Sequence, residues 1–121
     1  MVRLPARESD FDQTIIEMAH AFGWNCCHFR PGMTRRFTVN AKGESKPIWT
    51  TPVSGDGRGW PDWIFVKSGK PLVVCELKIG KNKPSPEQAE WLDLLQNVPG
   101  IKAGLFYLPD GLDQLEEILG D

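Results

Sequence analysis

The sequence predicts a single α/β domain with its elements in the order α-β-(β)-β-β-α-β-α. Three observations carry this. Leu72, Val73, Val74 and Cys75 form an apolar run, the pattern of a strand covered on both faces. Phe11, Ile15, Ile16, Ala19 and Phe22 recur at helical spacing and give an amphipathic helix. Ser85-Pro86-Glu87-Gln88 is a helix start: a capping hydroxyl, a proline suited to the first turn, and a glutamine that closes a capping box.

Taken in order, the first helix sets Asp12, Gln13, Glu17 and His20 away from its apolar face and stops at Gly23. Residues 24–30 read as a strand, with Trp24, Cys26 and His28 alternating against Asn25, Cys27 and Phe29. Residues 31–60 are rich in Gly, Pro, Ser and Thr and are expected to hold at most one short strand, near 37–40. So long a stretch in a small domain is expected to act as an arm, gripping a substrate or joining two copies. Asp62 opens a strand over 62–66, and Lys67-Ser68-Gly69-Lys70-Pro71 turns the chain back into the apolar strand. In the helix after Ser85, the inner face is expected to be Ala89, Leu92 and Leu95; residues 101–108 follow as a strand and 112–119 as a closing helix.

Composition restricts the function classes. A chain of 121 residues buries one modest core. No stretch reaches the roughly 18 apolar residues of a membrane span. The start, Met1-Val2-Arg3-Leu4-Pro5, lacks an apolar signal region, so a cytoplasmic protein is expected. Cys26, Cys27 and Cys75 have neither the spacing of a paired zinc site nor that of a disulfide framework, and read as small apolar residues on strands in a reducing compartment. The net charge of −2 hides an uneven distribution. Residues 28–47 carry five basic residues against one acid, and so do residues 67–83, whereas residues 84–121 carry one lysine against eight acids. A local cationic surface of this kind is what neutralises phosphates and steers a polyanion.

The chemistry concentrates around Trp60-Pro61-Asp62 and Cys75-Glu76-Leu77-Lys78. Glu76 and Lys78 are two apart on a strand and therefore share one face of the sheet. A hairpin between the two strands brings Asp62 and Glu76 into mutual repulsion. Burial makes that repulsion costly, and a divalent cation is the usual relief.

Four elements in order, Gly59-x-Pro61-Asp62, Glu76-x-Lys78, Ser85-x-x-Gln88 and a preceding acidic helix ending in Gly23-Trp24, resemble the VRR-NUC branch of the PD-(D/E)xK nuclease superfamily. The resemblance runs from about residue 8 to residue 119 and covers stand-alone phage and bacterial proteins, which would place a phage-encoded protein in its host's cytoplasm. It implies a restriction-endonuclease-like core, a mixed β-sheet flanked by helices, and a DNA endonuclease dependent on Mg²⁺ or Mn²⁺. It also implies structure-selective cutting of branched DNA, such as four-way junctions or flaps. On this resemblance Asp62, Glu76 and the backbone carbonyl of Leu77 would hold the metal. Lys78 would stabilise charge at the scissile phosphate, and Gln88 would assist at the site or serve only as a helix cap. A further acid from the first helix would complete the metal site: Glu8 first, then Asp10, then Glu17. Two cuts on a symmetric junction call for two sites, hence a homodimer. Arg30, Arg35, Arg36, Arg58, Lys81 and Lys83 are candidate nucleic-acid contacts.

Other residues read as structure first. His28 is expected to be packed on its strand and His20 to face solvent. Trp63 is expected in the core, while Trp49 and Trp60 are candidates to stack on unpaired bases. Gly55-Asp56-Gly57-Arg58-Gly59 lacks the lysine and the helix of a phosphate-binding P-loop, so its glycines serve tight turns. Two other classes stay open: a catalytically inert DNA-binding module on the same fold, and a protein–protein adaptor using the acidic C-terminal half.

Overall fold

The computed structural model describes residues 7–29, 32–50 and 54–121; at 32–38 and 46–50 it describes the backbone alone. A short 3-10 turn (Glu8–Phe11) runs into helix α1 (Asp12–Ala21). Strand β1 (Asn25–His28) is followed by β2 (Gly32–Val39), β3 (Ser45–Thr50), β4 (Trp63–Val66) and β5 (Leu72–Ile79). Helix α2 (Pro86–Gln96), strand β6 (Ile101–Leu108) and helix α3 (Gly111–Gly120) complete the chain.

Four strands form a mixed sheet in the order β1-β4-β5-β6. The pairs β1–β4 and β4–β5 are antiparallel; β5 and β6 are parallel and joined through α2, as a parallel crossover requires. Central β5 separates two faces. Val73, Cys75 and Leu77 point into the main core with Trp63 and Phe65, and with Ile15 and Ala19 of α1 and Leu115 and Leu119 of α3. Val74 belongs to the other face, outside that cluster, as do the buried Leu92 and Leu95 of α2. The fold is thus mixed α/β, with helices on both sides of the sheet.

Helix α1 ends where Gly23 takes a φ of +85°, which costs glycine nothing. Gly23 N–H then donates to His20 O at 3.0 Å and Trp24 N–H to Ala19 O at 2.9 Å, the two bonds of a Schellman motif. Lys67 Nζ donates to Phe22 O at 2.6 Å and sets a cation at the helix C-terminus. Trp24 is buried, and its Nε1 donates to Leu119 O at 2.7 Å, tying α3 to the same corner.

The largest departure from expectation is in residues 31–60. They hold two strands rather than at most one, and β2 pairs with β3 in a separate antiparallel ribbon. The cause is turn chemistry at Asn40: its side-chain oxygen accepts from Lys42 N–H at 2.9 Å and Glu44 N–H at 3.0 Å, while Gly43 takes φ +78°. That turn sets Val39 opposite Ser45 and Thr38 opposite Lys46. Smaller corrections follow the same logic of context over local pattern. Strand β1 is shorter than 24–30, and β4 begins after Asp62. Ala89 is exposed, leaving Leu92 and Leu95 as the buried face of α2. Asp12 is buried at 6 % exposure instead of facing away, and Cys27 is exposed on β1. Among the described residues no helix is long and apolar enough to cross a membrane.

Candidate active site

The hairpin register builds the site. Trp63 lies opposite Cys75 across β4 and β5, so one step outward Asp62 meets Glu76. Each carboxylate accepts from the opposing backbone: Asp62 N–H donates to Glu76 Oε2 at 3.2 Å, and Leu77 N–H donates to Asp62 Oδ1 at 3.3 Å. Lys78 follows Glu76 on the same face, its Nζ 3.5 Å from Glu76 Oε1. From α2, Gln88 Nε2 donates to that same Oε1 at 2.8 Å. Glu76 is only 3 % exposed.

Gln88 therefore caps its helix and also contacts Glu76. Its carbonyl oxygen accepts from Ser85 N–H at 2.8 Å and its own N–H donates to Ser85 Oγ at 3.2 Å, a complete capping box. With one end of the amide engaged by the cap, the other is aimed at Glu76.

The segment leading into Asp62 is clamped to the same helix. Gly59 has φ +86°, and a Cβ there would lie 2.7 Å from the backbone carbon of Glu87 and 2.8 Å from Gln88 N. Trp91 Nε1 donates to both Asp56 O and Arg58 O at 3.0 Å, and its ring meets Trp60 edge-on at 5.0 Å. Trp60 is thus engaged in packing.

The electrostatics are those of crowded acids. Burial, and then the charge of Glu76, push the Asp62 carboxyl up to about 8, against the opposing pull of the Leu77 N–H; Glu8 adds to the rise. Burial also raises Glu76, with Lys78 pulling it back. Ionising both carboxyls together is therefore costly in this site. Glu8 is half-buried at the start of the 3-10 turn, raised by burial and held down by Lys78.

Of the three acids weighed for completing the site, only Glu8 interacts with its members. The exposed Asp10 instead accepts from Arg7 N–H at 2.8 Å and caps the turn, and the exposed Glu17 accepts from Gln13 Nε2 at 3.2 Å. Among the described residues no three His, Cys, Asp or Glu side chains gather closely enough to hold an ion by themselves. The donor set is then two hard carboxyl groups whose joint ionisation a cation would favour. That chemistry suits Mg²⁺, which takes few protein ligands and keeps several waters.

Arg58, Lys81 and Lys83 are exposed near the site in sequence, while Arg30 lies outside the described residues. Arg35 and Arg36 sit on β2, and Trp49 on β3, where the backbone alone is described. His20 is exposed and Trp63 fills the core. His28 stacks on Trp63 at 4.1 Å with Nδ1 3.6 Å from Asp12 Oδ2, on the α1 face of the sheet.

No family model, curated protein or solved structure matches this chain. Its own geometry carries the functional argument. Sequence reading missed two residues of structural consequence, Asp12 and Trp91. Asp12 stands three, four and seven positions before Ile15, Ile16 and Ala19, which is the spacing of the buried face. Trp91 stands three after Gln88, on the same side of α2.

Proposed function

We propose that this protein is a divalent-metal-dependent DNA endonuclease of the VRR-NUC type. The observation that carries the reading is the pair of carboxylates, half-buried Asp62 and buried Glu76, bonded across the β4–β5 hairpin with Lys78 and Gln88 both on Glu76 Oε1. Acids are not assembled at such cost for stability alone; a cation offsets the cost and gains a function.

In this reading Asp62, Glu76 and the Leu77 carbonyl would hold Mg²⁺ or Mn²⁺, and Glu8, which does not close a three-acid cluster with them, would complete the set through a bound water. When bound, such an ion would supply Lewis acidity toward the scissile phosphate and toward a water. Lys78 supplies a donor to the oxygen on which charge grows as the phosphodiester is attacked, an interaction stronger in the transition state than before it. Gln88 keeps Glu76 Oε1 in one orientation, so that Oε2 and Asp62 remain for the ion. Arg58, Lys81 and Lys83 contact flanking phosphates. Branched DNA as substrate, a homodimer with two sites, and a cytoplasmic location belong to the same proposal.

The test is cleavage of labelled single strand, duplex, 5′ flap, 3′ flap and four-way junction with Mg²⁺ or Mn²⁺, beside Asp62→Ala and Glu76→Ala. The expected outcome is metal-dependent cutting by the wild type and a loss on the order of 10²-fold or more in each variant. Equal activity in the variants would sink the assignment of the site. Binding of branched DNA without any cutting would replace it with an inert DNA-binding module.

A further inference from the structure

We infer that the β2–β3 ribbon is the arm that grips the nucleic acid, laying a cationic two-stranded surface along the phosphate backbone beside the carboxylate site. The inference rests on DNA being the substrate and adds which element holds it. Neither ribbon strand is hydrogen-bonded to the four-stranded sheet, so the ribbon adds nothing to the ladder around the site.

Its roots nevertheless converge on that site. The segment that leads into β2 begins at Phe29, whose N–H donates to Asp62 O at 2.7 Å. The segment that returns from β3 includes residues 54–60, held on α2 by Trp91 and by the close approach of Gly59 to Glu87 and Gln88. The described residues that flank the ribbon, Phe29 on one side and 54–60 on the other, thus both meet the elements that carry the acids.

Charge selects the partner. Residues 32–50 contain Arg35, Arg36, Lys42 and Lys46 against Glu44 alone, in a chain whose net charge is −2. The ribbon is therefore a second cationic element beside residues 67–83, set against an acidic C-terminal half, and local positive charge is what a polyanion requires. Its turn, Val39 to Ser45, is exposed throughout, with Lys42 at the apex. Strand β2 bulges between Met33 and Phe37 against the six residues of β3, which span about 20 Å at the usual rise, and a two-stranded ribbon is a shape that the major groove of about 12 Å admits. Basic residues also protect bare strand edges from pairing with other chains, and that role makes the opposite prediction for DNA.

The experiment measures binding of labelled duplex and four-way-junction DNA from 50 to 200 mM salt without divalent ions. It compares the wild-type chain with a variant carrying Arg35→Gln, Arg36→Gln, Lys42→Gln and Lys46→Gln. Four lost phosphate contacts should lower the log–log salt slope by about 3 to 4 and weaken affinity on the order of 10²-fold or more at low salt. A companion with Arg35→Lys and Arg36→Lys should keep the wild-type slope, which separates lost charge from a misfolded ribbon. An unchanged slope in the Gln variant, with rising self-association, overturns the inference and makes the charges edge guards. Running the same titration on Asp62→Ala keeps the two ideas apart. Normal wild-type cleavage with an unaffected slope in the Gln variant sinks the arm alone. A reduced slope in a protein that cuts nothing supports the arm and sinks the hydrolytic reading. No DNA binding by the wild type removes both.

Discussion

Strand β5 shows two solutions to burial within eight residues. On one face Val73, Cys75 and Leu77 meet Trp63 and Phe65, and every atom buried there is favourable to bury. On the other, Glu76 is buried as deeply as Val73 and Leu77, yet it stands beside Asp62 with one lysine and one amide for company. The first face supplies the stability that the second consumes. The contrast teaches that depth in a fold does not rank residues by their contribution to it, because chemistry of the side chain sets the sign.

The comparison can be broken most forcefully on the apolar face. Trp63→Ala should cost about 3–5 kcal/mol, read as a lower denaturant midpoint, because the ring fills the core between Phe65 and His28. Little loss there would mean that the core is not organised around this strand.

On the acidic face the sign reverses with pH. The folded-state value of Asp62 lies above its ordinary value of 3.8, at about 8. The native state therefore binds more protons than the unfolded chain between these values, and the stability of the metal-free protein is expected to fall as pH rises through that window. The slope is at most about 1.4 kcal/mol per pH unit. Thermal melts in chelator from pH 5 to 9 check this, and Asp62→Asn should flatten the profile and raise Tm at pH 8. Adding Mg²⁺ at pH 8 should raise the wild-type Tm and leave that of the variant nearly unmoved.

Between the faces lies the clamp. Gly59→Ala should destabilise by roughly 1–3 kcal/mol, since it forces a left-handed alanine into the backbone of Glu87 and Gln88. Chemical denaturation measures the loss, and a neutral effect would mean the loop stands clear of α2. Trp91→Phe is the mildest probe: it keeps the ring near Trp60 but removes the donor to Asp56 and Arg58, at a cost of about 1 kcal/mol. If its loop amides exchange with solvent no faster than in wild type, the double hydrogen bond is not what holds the segment.

Much of this was legible because it rests on local rules. Residues 101–108 were bounded correctly as a strand because its apolar sequence is terminated by glycine before and proline after. The capping box at Ser85 and Gln88 is a rule of four residues, and it formed as written. The meeting of Asp62 and Glu76 followed from pleat and hairpin, and that geometry is present, although its chemical use is a separate matter. What failed depended on partners distant in sequence or on competing patterns. Ribbon strand β3 contains Pro47, and proline argues against a strand until the partner is known to leave that position on an edge. Asp12 has the spacing of the buried face but reads as polar, because its neighbour His28 is 16 residues away.

The amide of Gln88 has a consequence for finding kin. In a capping box glutamate and glutamine are ordinarily interchangeable. Here only the amide can satisfy the cap with its oxygen and still donate to Glu76 with its nitrogen. Gln88→Glu would keep the helix signal and add a third negative charge to an already strained pair. Glutamine twelve residues after the glutamate of Glu-x-Lys is therefore a discriminating letter for a sequence search, whereas the serine before it marks only that a helix begins.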